Sequence, residues 1–158
     1  ASHAWAEKFA DFILAIDAFA KSDNVCRKDD GIWICFLANP QTWPRLILSD
    51  LFGSQVFHSP FAVAMEAAQA QLVIRTKLPS YQGKAQCVYS RLWCVFEAWI
   101  ASGMRRDGEP LAIIALGAQC SKEEYDSDLK SSVGINGAAC SSVIDEERIL
   151  RCISNDPG

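Results

Sequence analysis

Apolar residues recur at spacings of three and four along the first segment: Trp5, Phe9, Phe12, Ile13, Ile16 and Ala20, with Glu7, Asp11, Asp17 and Lys21 elsewhere. That period predicts an amphipathic helix over 5–21, with Asp17 and Lys21 as a pair one turn apart. A charged connector, 22–31, leads into Ile32-Trp33-Ile34-Cys35-Phe36-Leu37, an apolar run without polar alternation. Such a run predicts a strand buried on both faces, the kind a parallel sheet covered by helices contains. Two prolines in Asn39-Pro40-Gln41-Thr42-Trp43-Pro44 then break the chain.

Ser59-Pro60 opens a helix to about residue 69, because serine caps and proline suits the first helical position. A second strand falls at 71–76, and a flexible connector at 79–83 follows it. Residues 90–103 form the most apolar helix, with one charge in the ten residues 92–101 and Gly103 as its stop. Arg105 and Arg106 suit the negative end of its dipole. A third strand falls at 111–116. Residues 122–130 suggest a short acidic helix, and Ser142 with Asp145 and Glu146 opens a last helix to about 153. Alternating helices and strands define an α/β chain. The three strands 32–37, 72–76 and 111–116 are expected to lie side by side and parallel, with helices on both faces.

Composition narrows the function classes. The 158 residues are 50% apolar and 22% charged, which suits one globular unit with a substantial core. Residues 1–117 carry 11 bases and 11 acids, whereas 118–158 carry 4 bases and 8 acids. No basic stripe for nucleic acid appears. The longest apolar run, 32–38, is far below the ~20 residues a membrane-spanning helix needs. Seven cysteines, an odd number without any CxxC or zinc spacing, are expected to be free thiols. That points to the cytoplasm or another reducing compartment. The Gly-rich phosphate fingerprints GxGxxG and GxxxxGK[ST] are absent.

Four pieces together resemble a known family. Ser2-His3-Ala4-Trp5 opens the first helix, the apolar run ends at Asn39-Pro40-Gln41, Ser59-Pro60-Phe61 starts the second helix, and Arg91-Leu92-Trp93-Cys94-Val95-Phe96-Glu97 carries the third. The set is similar to Toll/interleukin-1 receptor (TIR)-like domains of unicellular algae and other protists, over roughly 2–117. The resemblance implies a flavodoxin-like parallel sheet flanked by helices. The family's first, central strand lies just before the Ser-His-x-Trp start, so here it is truncated or missing, and the natural protein is expected to continue upstream. Residues 1–117 would form the TIR-like domain. Residues 118–158 would form an acidic extension with a last helix, packed on the same domain.

Glu97 is the sharpest chemical candidate. A carboxylate in an apolar helix must reach solvent, find a partner or take a raised pKa, and functional sites often create that situation. The resemblance implies a glutamate at this position holding the nicotinamide ribose of NAD in family members that hydrolyse it. A carboxylate there would stabilise the oxocarbenium character that develops when the N-glycosidic bond breaks. The competing reading is a structural glutamate that caps a loop or pairs with Arg91 or another arginine. Trp93, one turn away, would stack on a base or nicotinamide ring, or else fill the core. Ser2, Trp5 and Lys8 follow the place of the family's first strand and are candidates for contact with the ligand.

Asn39, Gln41 and Trp43 stand where the family's BB loop lies, so the 38–44 loop either gates the pocket or mediates self-association and contacts with protein partners. His58 reads as a loop residue and Cys94 as an inert buried thiol. The acidic stretch 121–128 fits no calcium loop. No metal or obligate cofactor is expected, with NAD as substrate or ligand. Three functions compete: a TIR-like assembly module, an NAD hydrolase centred on Glu97, and a structural subunit of a larger complex.

Overall fold

The computed structural model describes residues 8–21, 29–38, 58–75, 78–81, 84–103, 105–106, 109–116, 137–140 and 142–155. In chain order these form helix α1 (Phe9–Ala20), a single helical turn α2 (Cys35–Ala38), α3 (Pro60–Ala67), strand β1 (Ala70–Ile74), β2 (Leu78–Tyr81), β3 (Lys84–Gln86), a 3-10 turn (Val88–Ser90), α4 (Leu92–Gly103), β4 (Arg105–Arg106), β5 (Glu109–Pro110), β6 (Ala112–Leu116) and α5 (Val143–Ser154). β1 and β6 pair in parallel, from Ala70 opposite Ala112 to Ile74 opposite Leu116. The described chain is therefore mixed α/β, with a small two-stranded parallel sheet and four helices of eight to twelve residues.

The helix starts follow local chemistry. At α3, Pro60 occupies the first turn and the fully buried Ser59 Oγ accepts the Ala62 N–H at 3.3 Å. At α5, Ser142 Oγ accepts the Asp145 N–H at 3.3 Å, and Asp145 and Glu146 sit in the first turn where the dipole favours them. Lys21 Nζ meets Asp17 Oδ2 at 2.6 Å on the exposed face of α1. α4 begins differently. Its Leu92 N–H donates to the Ala139 carbonyl at 3.0 Å, while the Ala139 N–H donates to the Ser90 carbonyl at 2.8 Å.

β1 organises the core because successive side chains point to opposite faces. On one face Leu72 and Ile74 pack with Phe12 and Ala15 of α1, against half-buried Ile16, Phe19, Ile34 and Ile114. On the other, Val73 packs with Val88, Tyr89 and Cys94. A third cluster joins α3, α4 and α5: Ala62 and Met65, then Leu92, Phe96, Ile100 and Ala101, then Ile149, with Leu111. Residues 137–155 thus share a core with α4, through Ala138, Cys140 and Ile149.

Several expectations need correction. The strand expected at 32–37 does not form: 31–34 is irregular, and Cys35–Ala38 is helical. The Ile34 carbonyl accepts the N–H groups of Leu37 and Ala38 at 3.0 and 2.9 Å, which closes a turn where a ladder was expected. Two of the three expected parallel strands remain, as β1 and β6. The buried stripe of α1 is Phe12, Ala15, Ile16 and Phe19, whereas Phe9 and Ile13 stay exposed. Of the connector expected at 79–83, the described residues 79–81 belong to β2, which pairs antiparallel with β3. Arg105 and Arg106 belong to a two-residue ladder with Glu109 and Pro110. The helix expected over 122–130 lies outside the described residues.

Candidate functional site

α4 places Trp93 and Glu97 one turn apart on the same helix. Leu92, Cys94, Phe96, Ile100 and Ala101 of α4 are buried, and Glu97 is buried with them at 6% exposure. A charged group is rarely placed there without a reason, since desolvation penalises its ionised form. Glu97 lies on the wall of a cavity of about 600 Å³. That volume is in the range that holds small organic ligands.

The cavity is built where α1, the 30–33 segment, α3 and the sheet meet. Phe19 comes from α1, and Asp30, Gly31, Ile32 and Trp33 from the irregular segment. Phe61, Ala64 and Met65 come from α3, Gln71 and Leu72 from β1, and Ile114 from β6. Small residues at the end of α3 and the start of β1 (Ala67, Ala68 and Ala70) leave the space open. Glu97 and Gln71 are the buried polar side chains on the wall, and Asp30 is exposed.

Aromatic rings brace this wall. Trp33 meets Phe61 edge-on at 5.4 Å, Phe61 stacks on Trp93 at 4.8 Å, Trp93 meets Phe96 edge-on at 5.9 Å, and Phe96 stacks on Trp99 at 5.8 Å. Offset stacks and edge-to-face contacts are the favoured aromatic geometries. Trp93 therefore stands one ring behind the cavity, and Phe61 and Trp33 present the lining rings. Trp33 was hidden in an apolar run that reads as a strand, and Phe61 in a helix start. Their signal was a pair of aromatics beside chain breaks.

Of the other candidates, Lys8 is the exposed N-cap of α1 and is not among the lining residues. Ser2, Trp5, Asn39, Gln41 and Trp43 lie outside the described residues. His58 is exposed just ahead of the α3 cap. Cys94 is buried between Val73, Val88 and Tyr89, a setting that leaves a thiol inert. Among the described residues, Cys35, Cys87, Cys94, Cys140 and Cys152 form no disulfide with one another. Among the described residues no group of three His, Cys, Asp or Glu side chains is placed to hold a metal ion, and no helix is long and apolar enough to cross a membrane.

Comparison with protein-family models, with curated proteins and with solved structures finds no match to this chain.

Proposed function

We propose that the chain is a TIR-like domain of flavodoxin-like type whose cavity takes the nicotinamide-ribosyl end of NAD and cleaves its N-glycosidic bond. The observation that carries this reading is the buried Glu97 on the wall of a ligand-sized cavity lined by Trp33 and Phe61. The chemistry asks little more of the protein. Nicotinamide is already cationic in NAD, so it leaves with the bonding electron pair as a neutral molecule and needs no general acid. Water adds to the ribose anomeric carbon, its proton passes to solvent, and the products are nicotinamide and ADP-ribose. Glu97 carboxylate supplies the negative charge that the oxocarbenium-like transition state attracts. The aromatic rings hold the flat base in a region of low dielectric.

The direct test is incubation of the purified protein with NAD while nicotinamide release is followed. Release that disappears in Glu97→Gln supports the proposal; an inert protein refutes it. A second reading, the assembly module, draws on Phe9, Ile13 and Leu14, large apolar side chains exposed on α1. Sedimentation across a concentration series tests it, with self-association lost in Phe9→Ser as the expected result.

A further inference from the structure

We propose that the cavity reads the carboxamide of the nicotinamide base, whose N–H groups donate to the C-terminal end of α3, so that dinucleotides lacking this amide are disfavoured. This rests on the hydrolase reading and specifies which base the site accepts. Three features of the cavity wall support it.

The first is the way α3 ends. The last four carbonyls of a helix lack intrahelical donors. Here the Ala68 N–H, the helical partner of the Ala64 carbonyl, donates instead to the Met65 carbonyl at 3.1 Å, and the chain turns extended at Ala68. The last turn of α3 carries no basic side chain. Ala64, Ala67 and Ala68 line the cavity, so the negative end of the helix dipole lies at its wall. Such an end favours N–H donors and positive charge and disfavours a carboxylate.

The second is that main chain contributes to this wall. Residues 67–72 line the cavity in unbroken succession. Side chains of an extended chain alternate between faces, so a continuous run on one wall brings backbone to it. Alanines at 64, 67, 68 and 70 leave that backbone uncovered by long side chains of their own.

The third is spacing. Phe61 and Ala67 lie on the same helix, roughly 9 Å apart along its axis at the usual rise per residue. Phe61 and Trp33, in edge contact at 5.4 Å, take the flat ring at one end of this span. The carboxamide then reaches toward the carbonyls at the other end.

The test compares three dinucleotides on the full chain, by calorimetry and by chromatography of the released base. They are NAD, its deamidated form with a carboxylate in place of the amide, and its acetyl analogue, whose carbonyl carries no N–H. The carboxylate form is expected to bind on the order of ten-fold or more weaker than NAD, from a lost donor and an unfavourable dipole. The neutral acetyl analogue should bind about three-fold or more weaker, the loss of one neutral hydrogen bond. Gln69 is exposed on the cavity wall, just beyond the Ala68 cap. Gln69→Lys places a cation at the helix end and should narrow the gap between NAD and the carboxylate form. Base release should follow the same order as binding. Either analogue binding as tightly as NAD, or a gap unmoved by Gln69→Lys, would overturn the inference while leaving hydrolysis of NAD intact. The expected binding order without any base release would uphold the selectivity and sink the hydrolase reading. Absence of binding by all three compounds would overturn both.

Discussion

Phe61 lies nearly flat against Trp93, with ring centroids 4.8 Å apart and planes 24° from parallel. A lining residue of the cavity is thus held by the residue one turn before Glu97. Trp93→Ala should lower stability by about 2–4 kcal/mol, the range for removing a large, partly buried aromatic together with its ring contacts. It should also weaken ligand binding, although Trp93 is absent from the lining. Trp93→Phe should retain most of both, within about 1.5 kcal/mol. Urea denaturation of the three proteins decides this, and an alanine variant as stable as the parent would count against the bracing role.

Glu97→Gln separates catalysis from architecture. The proposed function expects nicotinamide release to fall by ~10²-fold or more, as when one preorganised electrostatic contact to a transition state is lost. Stability should move by less than about 1 kcal/mol, since the amide keeps the shape and a hydrogen-bonding group. A structural glutamate would give the reverse: unchanged activity and a loss of about 1–3 kcal/mol from a weakened charge-assisted hydrogen bond. Turnover and melting temperature of the same two samples distinguish the outcomes.

The two serine caps should differ in weight. Ser59 is fully buried, and Ser142 is only half-buried. Ser59→Ala leaves the Ala62 N–H without its acceptor in the core and should cost about 1–2 kcal/mol. Ser142→Ala leaves the Asp145 N–H closer to water and should cost about 0.5–1 kcal/mol. Equal losses in chemical denaturation would show that burial at Ser59 adds nothing.

Position within the sheet predicts a sharper contrast. Val73 on β1 is fully buried between two layers, whereas Ile113 on β6 is 45% exposed. Val73→Asp buries an unpaired charge and should prevent folding, a loss of about 4 kcal/mol or more. Ile113→Asp keeps its charge in water and should cost about 1 kcal/mol. Circular dichroism melts read both. A folded Val73→Asp protein would refute the two-sided burial of β1.

What could be read from the residues was whatever chemistry is local. Ser59-Pro60 and Ser142 announce the starts of α3 and α5 because a cap engages neighbours only three or four positions away, and α4 runs to Gly103 as expected. Glu97 stood out as a lone carboxylate in apolar surroundings. The segment 32–37 misled because a short continuous apolar run carries no period, and a turn closing on the Ile34 carbonyl satisfies it as well as a ladder does. α1 misled in its orientation. With Phe9, Phe12, Ile13, Leu14, Ile16 and Phe19 spread around it, packing against β1 rather than spacing selects the buried stripe. The cavity itself was illegible, since it exists only where α1, the 30–33 segment, α3 and the sheet converge.

The bonds between Ala139 and the 88–92 region place a constraint on the order in which the molecule is made. Ribosomes deliver the chain from its N-terminus, and the Leu92 N–H finds the Ala139 carbonyl only after the long intervening stretch has emerged. Until then the leading turn of the Glu97 helix has an unmet donor, and Phe96 lacks the cover of Ile149. A nascent chain arrested before residue 137 would hold its β1 and α3 segments yet have an unfinished pocket wall. The start of the helix that carries Glu97 would therefore be completed only once residue 139 has left the ribosome.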